Sequence, residues 1–484
     1  MFYCSQHAFS HAFSLCMILL LLTTGCDRAQ DAAADTIYIN GHILTMSHPV
    51  HARALSIKDG KVQAVGTRAG VMRHHGDNTR IVDLQGKTLM PGWYAVHSPF
   101  MAVVEAVGIK DAQYRFAQAG YTTVVEKHAS IAALQQLQAA NKQQVLSLDI
   151  LALVPYATFQ STLSQHTLPL PFRQTGDLTP SSLKLAGVTL ALDGNMHTQT
   201  AWLAIPYATQ PPDRPPHWQG QPAMPYSQFR HAYQLALDHK VQLFIHAMGD
   251  AAIDALIQAS DDLAITVEQQ QRTVVMTSRY MRVNQLDQYK RLGLQACFDS
   301  RHLVKHGDSD ITWLGQDRAA AQSPLHTAML RHLAVTNQCE RFIRQGTADT
   351  DTSSTDNASH TDDSAATDVP DGMLSVWSAV NRMTEQGTIM GDAERISALH
   401  ALKTLTRHAA YHFFEEKYKG RLVPGMQADM VILSANPLDV PTGELRTIQV
   451  IETIKAGRTL YPSPSGTAPA DIKHVPSSPY QYSP

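Results

Sequence analysis

The chain has 484 residues, 44% of them hydrophobic and 17% charged, enough apolar chain for one large barrel or several smaller domains. With 39 Lys and Arg against 42 Asp and Glu, the formal net charge is −3. No global basic field exists, so nucleic acid is not an expected partner. A single long apolar run rules out a polytopic membrane protein, whereas 24 histidines invite a metal reading.

That apolar run, Leu15 to Leu22, is too short to span a bilayer and suits the core of a secretory signal. The residues Thr23-Thr24-Gly25-Cys26 after it resemble a bacterial lipoprotein signal. The expectation is a signal peptide over 1–25, a lipidated Cys26, a linker over 26–35 and a membrane-anchored place on the periplasmic face of the cell envelope. A plain secretory signal is the alternative.

Short strand-like pieces follow, at Thr36–Ile39, Ile43–Met46, Ala54–Ile57, Val62–Val65 and Ile81–Leu84, joined by Asn40-Gly41 and Asp59-Gly60 turn signals. Asn-Gly and Asp-Gly between apolar runs predict hairpins. The same style returns at Ala428–Leu433 and Val450–Gly457. A small composite β-sandwich domain is therefore expected from 36–90 and 417–461. Between its halves, strand-like and helix-like segments alternate. The predicted strands are Trp93–Val96, Thr122–Val125, Val145–Leu151, Val188–Leu192, Val241–Ile245, Thr273–Met276, Leu294–Phe298 and Ala334–Asn337, with helices such as Ile131–Ala140 and Phe229–Asp238 between them. Eight such units over 91–416 predict an α/β fold, a (β/α)8 barrel. The Asp-, Ser- and Thr-rich stretch 347–371 and the Pro- and Ser-rich 462–484 cannot bury enough surface to order themselves and predict a disordered insertion and tail.

Several motifs frame this barrel: Gly86-Lys87-Thr88-Leu89-Met90-Pro91-Gly92, Leu192-Asp193-Gly194, His246-Ala247-Met248-Gly249-Asp250, Ala379-Val380-Asn381-Arg382 and Lys419-Gly420-Arg421-Leu422-Val423-Pro424-Gly425 with Ala428-Asp429. On these the chain resembles the amidohydrolase superfamily over roughly 36–461. More narrowly it is similar to the amidohydrolase-3 branch, which includes N-substituted formamide deformylases. The stretch between His97 and Gly120 is short where that branch usually carries a long insertion. The resemblance implies hydrolysis of a non-peptide C–N bond by one or two divalent metals at the C-terminal ends of the strands. The metal activates water and polarises a carbonyl, and a carboxylate moves the proton.

The ligand set that the resemblance implies is a His-x-His on strand one, a carboxylated Lys on strand four, a His on each of strands five and six, and an Asp on strand eight. Here His97 takes the first position, but Pro99 stands in the second. Thr189 stands at the Lys position, with Lys184 nearby but outside the motif. His246 is retained, Thr277 replaces the strand-six His, and Glu340 aligns with the Asp. His97, His246 and Glu340 would just supply the three protein ligands of a mononuclear zinc site, with Glu340 doubling as the proton-transfer group. The expected cofactor is one divalent metal, zinc first among candidates, or none. His302 and Asp193 are candidate substrate-binding residues, with structural loop roles as the alternative. His128 and His197 either rebuild a site or are ordinary surface histidines. Cys297 and Cys339, on neighbouring strands, read first as two buried thiols, with one bridge between them in an oxidising periplasm as the alternative. Two functions stay open: a diverged, at most mononuclear hydrolase of an amide-like small molecule, or a catalytically inactive, membrane-anchored binding or scaffold protein. Either is compatible with a homodimer.

Overall fold

The computed structural model describes residues 32–165, 168, 171–173, 181–338 and 369–462. The expected signal peptide, Cys26, Cys339, Glu340, most of the expected insertion and all but the first residue of the expected tail lie outside the described residues.

Eight parallel strands pair in chain order: Trp93–Ser98, Tyr121–Glu126, Asp149–Pro155, Leu183–Ala191, Leu243–His246, Val274–Met276, Gln295–Phe298 and Val335–Asn337. They form a nearly closed barrel with helices outside. The strands read as continuous apolar runs because a parallel sheet is covered on both faces. Inside sit Tyr94, Val125, Leu151, Leu153, Phe244 and Cys297, capped at one end by Phe413. The third strand begins four residues later than its pattern suggested. Val145–Leu148 belongs to the approach, where the Gln113 side chain accepts from the backbone N–H of Ser147 and Leu148. The apolar residues on both sides of Ser147 and Asp149 leave the start of pairing unmarked in the pattern.

Two further sheets flank the barrel. The four-stranded one uses Thr36–Ile39, Ala54–Lys58, Lys61–Gly66 and Arg80–Asp83. The six-stranded one joins His42–Leu44, His51–Ala52 and Thr88–Pro91 to Met430–Leu433, Val450–Lys455 and Arg458–Tyr461. Tyr38, Ile43, Leu55, Leu89, Met430 and Ile454 fill the space between them. The Asp59-Gly60 turn does join an antiparallel pair. Asn40-Gly41 does not. The strands on either side of it enter different sheets, because Asn40 at φ 57° turns the chain and binds Asp83. Gly41 packs so closely on Leu84 that a Cβ would lie 2.5 Å from that side chain.

Below the N-terminal ends of the strands lies a buried ionic layer. Lys419 meets Asp149 and Glu415, Lys184 meets Glu415 at 2.7 Å, and Lys455 meets Asp149 and Asp429 at 2.9 and 2.8 Å. Tyr94 donates to Glu415 at 2.7 Å. The neighbouring ammonium groups of Lys419 and Lys184 overcome burial and hold the Glu415 carboxyl well below its usual range. So Lys184 serves the floor of the barrel, far from any strand-four metal position. The Lys419 and Asp429 of the family-like motif bond the β-domain to that floor. Cys297, read as a buried thiol with a bridge as the alternative, is disulfide-bonded; the other four cysteines all lie outside the described residues.

Candidate active site

In such barrels chemistry belongs at the C-terminal ends of the strands. The structure puts His246 there, at the end of strand five and only 1% exposed. Its Nε2 lies 2.8 Å from the Gly194 carbonyl and its Nδ1 2.8 Å from the Thr277 hydroxyl. A carbonyl only accepts, so Nε2 carries the proton. Burial pushes the imidazole pKa down to about 4, so Nδ1 is a lone pair, and the single Thr277 hydroxyl proton is shared between it and the Met276 carbonyl at 2.6 Å. Both ring nitrogens are thereby committed. Thr277 does this from a left-handed backbone, φ 58°, a genuine outlier for a β-branched residue.

Asp193, just beyond strand four, is 2% exposed. Its carboxylate accepts from the backbone N–H groups of Trp202, Met248 and Gly249 at 2.8 to 2.9 Å and lies 3.7 Å from His246. Burial pushes its pKa up to about 7 against the pull of those donors. It is a clamp, binding the loop after strand four to the loop after strand five. Gly249 allows the approach, since a Cβ there would meet the Trp202 carbonyl at 1.9 Å. Asp250 Oδ1 accepts from Ala204 N–H and Arg318 holds the carbonyls of Ile205 and Pro206. The loop over 192–225 is thus tied down across the mouth. Its Met196, Leu203 and Tyr207 pack on Leu303, Leu314 and Met390.

The remaining family ligand positions do not fit a binuclear metal centre. Pro99 offers no donor and caps the helix Phe100–Val107. The Thr189 hydroxyl is turned to the Val154 carbonyl at 3.4 Å. His97 lies on strand one, its side chain outside the description, and Glu340 is outside the described residues. The set that the sequence suggested, His97, His246 and Glu340, is therefore assembled only as far as His246, and that residue is engaged elsewhere.

Beside it, Arg279 is 4% exposed, 4.0 Å from Asp299, which also takes Arg301 Nε at 3.1 Å. His302, on the helix Arg301–Leu314 after strand seven, does not bind Asp193 but Asp310, at 2.9 Å. Its ring lies 4.8 Å from that of His306 and 5.5 Å from that of His197, and His197 lies 4.4 Å from His306. One nitrogen from each of the three comes within 4.8 Å of the others. His306 was not singled out from sequence, although His302 and His306 are four apart and so share one helix face. A cavity of about 560 Å³ lies at the other end of the barrel, lined by Lys290, Lys403, Arg407, Arg421 and Glu416 among others, away from His246.

The comparisons agree with this architecture. The chain is 25% identical over 291 residues to the protein LONG AFTER FAR-RED 3 of Arabidopsis thaliana, covering 60% of this chain and 45% of that protein. It is 24% identical over 228 residues to the N-substituted formamide deformylase of Arthrobacter pascens, covering 46% and 36%. The chain thus matches less than half the length of either relative. Among solved structures, an uncharacterized metal-dependent hydrolase from Pyrococcus horikoshii superposes with a TM-score of 0.65 at 18% identity, over 84% of this chain and 99% of that one. A family model described as Amidohydrolase family, of the amidohydrolase-3 branch, matches residues 99–461. With the eight-stranded barrel, its flanking sheets and a match over most of its length, the chain belongs to the amidohydrolase superfamily, in the amidohydrolase-3 branch.

Proposed function

We propose that this chain is a diverged amidohydrolase-family hydrolase acting on a C–N bond other than a peptide bond, in an amide or formamide-like small molecule, with at most one metal. The family match and the partial likeness to a formamide deformylase support the bond class. The limit to one metal rests on a single observation: Thr277, at the strand-six ligand position, sets a hydroxyl and not a second imidazole 2.8 Å from His246 Nδ1. No catalytic step is assigned to His97, His246 or Glu340. The family implies a divalent metal, and zinc is the one we propose. The same observation favours a second reading, a binding protein without chemistry on the same fold.

The test is a panel of N-substituted formamides, linear amides and cyclic amides incubated with the purified full chain, with and without added zinc, following amine release. Turnover above the buffer rate supports the hydrolase. No turnover of any member sinks it in favour of the binding reading, which then predicts ligand-induced shifts in Tm. A lipidated Cys26, the periplasmic face and a homodimer belong to the same proposal. The disulfide at Cys297 supports an oxidising compartment, since disulfides persist there.

A further inference from the structure

The histidines after strands four and seven are built as a ligand set. His302 is 7% exposed and Asp310 fully buried. Asp310 Oδ2 accepts from His302 Nε2 at 2.9 Å, Gln322 Nε2 at 2.9 Å and the Tyr280 hydroxyl at 3.1 Å. A carboxylate only accepts, so His302 carries its proton on Nε2 and presents Nδ1 as a lone pair. Metal-binding histidines almost always have such a carboxylate behind the ring, fixing tautomer and orientation. The other oxygen, Asp310 Oδ1, is buried with no hydrogen-bond partner among the described residues.

The support extends another layer. Gln322 sits in a turn held by Arg382, which is fully buried and donates to the carbonyls of Ala320, Gln322, Ser323 and Met390 at 2.6 to 3.3 Å. His306 follows His302 by one helical turn, and His197 comes from the clamped loop over the mouth. A tetrahedral ion with bonds of about 2.0–2.1 Å places its ligand nitrogens roughly 3.4 Å apart. The three nitrogens, within 4.8 Å of one another, reach that by small side-chain rotations.

We propose that His197, His302 and His306 form a three-histidine site for a zinc-like divalent ion, displaced from the family's ligand positions, with Asp310 as the positioning residue behind His302. Three neutral imidazoles suit zinc, cobalt or nickel over magnesium or calcium. The ion's fourth position stays open to water or a small ligand. Only the idea that this ion is the single metal of the proposed hydrolase rests on that reading; the binding itself does not.

The experiment is zinc titration of the chelator-treated full chain by calorimetry, with cobalt(II) absorption as a readout of coordination. The expected result is one zinc per chain, a rise in Tm on loading, and four-coordinate cobalt d–d bands. His306→Ala and His197→Ala each abolish the bands and weaken zinc at least 100-fold, and Asp310→Asn weakens it about 10–100-fold. Unliganded Tm and circular dichroism of the two alanine variants report folding, both sites being only half-buried. Zinc bound equally by wild type and His306→Ala, zinc lost only in His246→Gln, or no zinc at all each overturns the site. Zinc held by the triad with no amide turnover overturns the hydrolase alone, and turnover without triad zinc overturns this inference alone.

Discussion

At the scale of single residues, the mouth shows how a ligand position becomes a structural one. Thr277 bears a hydroxyl where the family-like pattern implies an imidazole, and that hydroxyl lies within hydrogen-bond reach of both His246 Nδ1 and the Met276 carbonyl. Thr277→Val keeps the shape and deletes the donor, leaving a buried acceptor unpaired. The expected cost is about 1–3 kcal/mol, measured by urea unfolding with an unchanged m-value. Sequence showed that Pro99, Thr189 and Thr277 break the ligand pattern, because identity alone decides that. It did not show what His246 does instead, since Gly194 and Thr277 reach it from different loops. His302 and His197 were singled out from sequence but not as neighbours, since they lie more than a hundred residues apart and only the fold brings them together; His306 was missed, although its helical spacing from His302 was the signal for it.

At the scale of elements, Arg382 fastens the helix Gly372–Asn381 to the turn before the helix Leu325–Leu330. Its four acceptors are carbonyls, and burial lowers its pKa to about 10. Arg382→Met should cost on the order of 3 kcal/mol or more, because several buried carbonyls lose donors together. It should also weaken zinc at the histidine triad by loosening Gln322. Calorimetry on one variant checks both. The disulfide makes a separate prediction: the loss on Cys297→Ser should be about 2–4 kcal/mol larger in oxidising buffer than in reductant, where only the cost of a buried hydroxyl remains, as read from paired unfolding curves. The barrel strands were legible because parallel strands covered on both faces are apolar throughout. The Asn40-Gly41 turn misled because a left-handed Asn40 signals a change of direction without saying which strand comes next.

For the whole molecule, acid should act in two stages. Burial lowers both His246 and His412 to about 4 from an ordinary value of 6.5. Each contributes stability that is complete above pH 6.5 and is lost as pH falls toward 4, on the order of 3 kcal/mol apiece. Glu415, held low by Lys419 and Lys184, contributes stability that is complete above pH 4.5 and fades only below it. Asp193, raised to about 7 by burial, works the other way, gaining stability as pH falls from 7 toward 4, but the two histidines together outweigh it. Tm against pH should therefore fall below pH 6.5 and steepen below 4.5. Lys419→Met should cost about 3–5 kcal/mol at neutral pH and flatten the lower limb.

The six-stranded sheet has a temporal consequence. Thr88–Pro91 takes Met430–Leu433 as its antiparallel neighbour, although the entire barrel is synthesised between them. During translation the early strands emerge with an unpaired edge and must wait for nearly the whole chain before that edge is covered. A ribosome stalled at residue 416 should therefore carry a nascent chain that binds holdase chaperones and is cut by protease within the first ninety residues, and release of the full chain should abolish both.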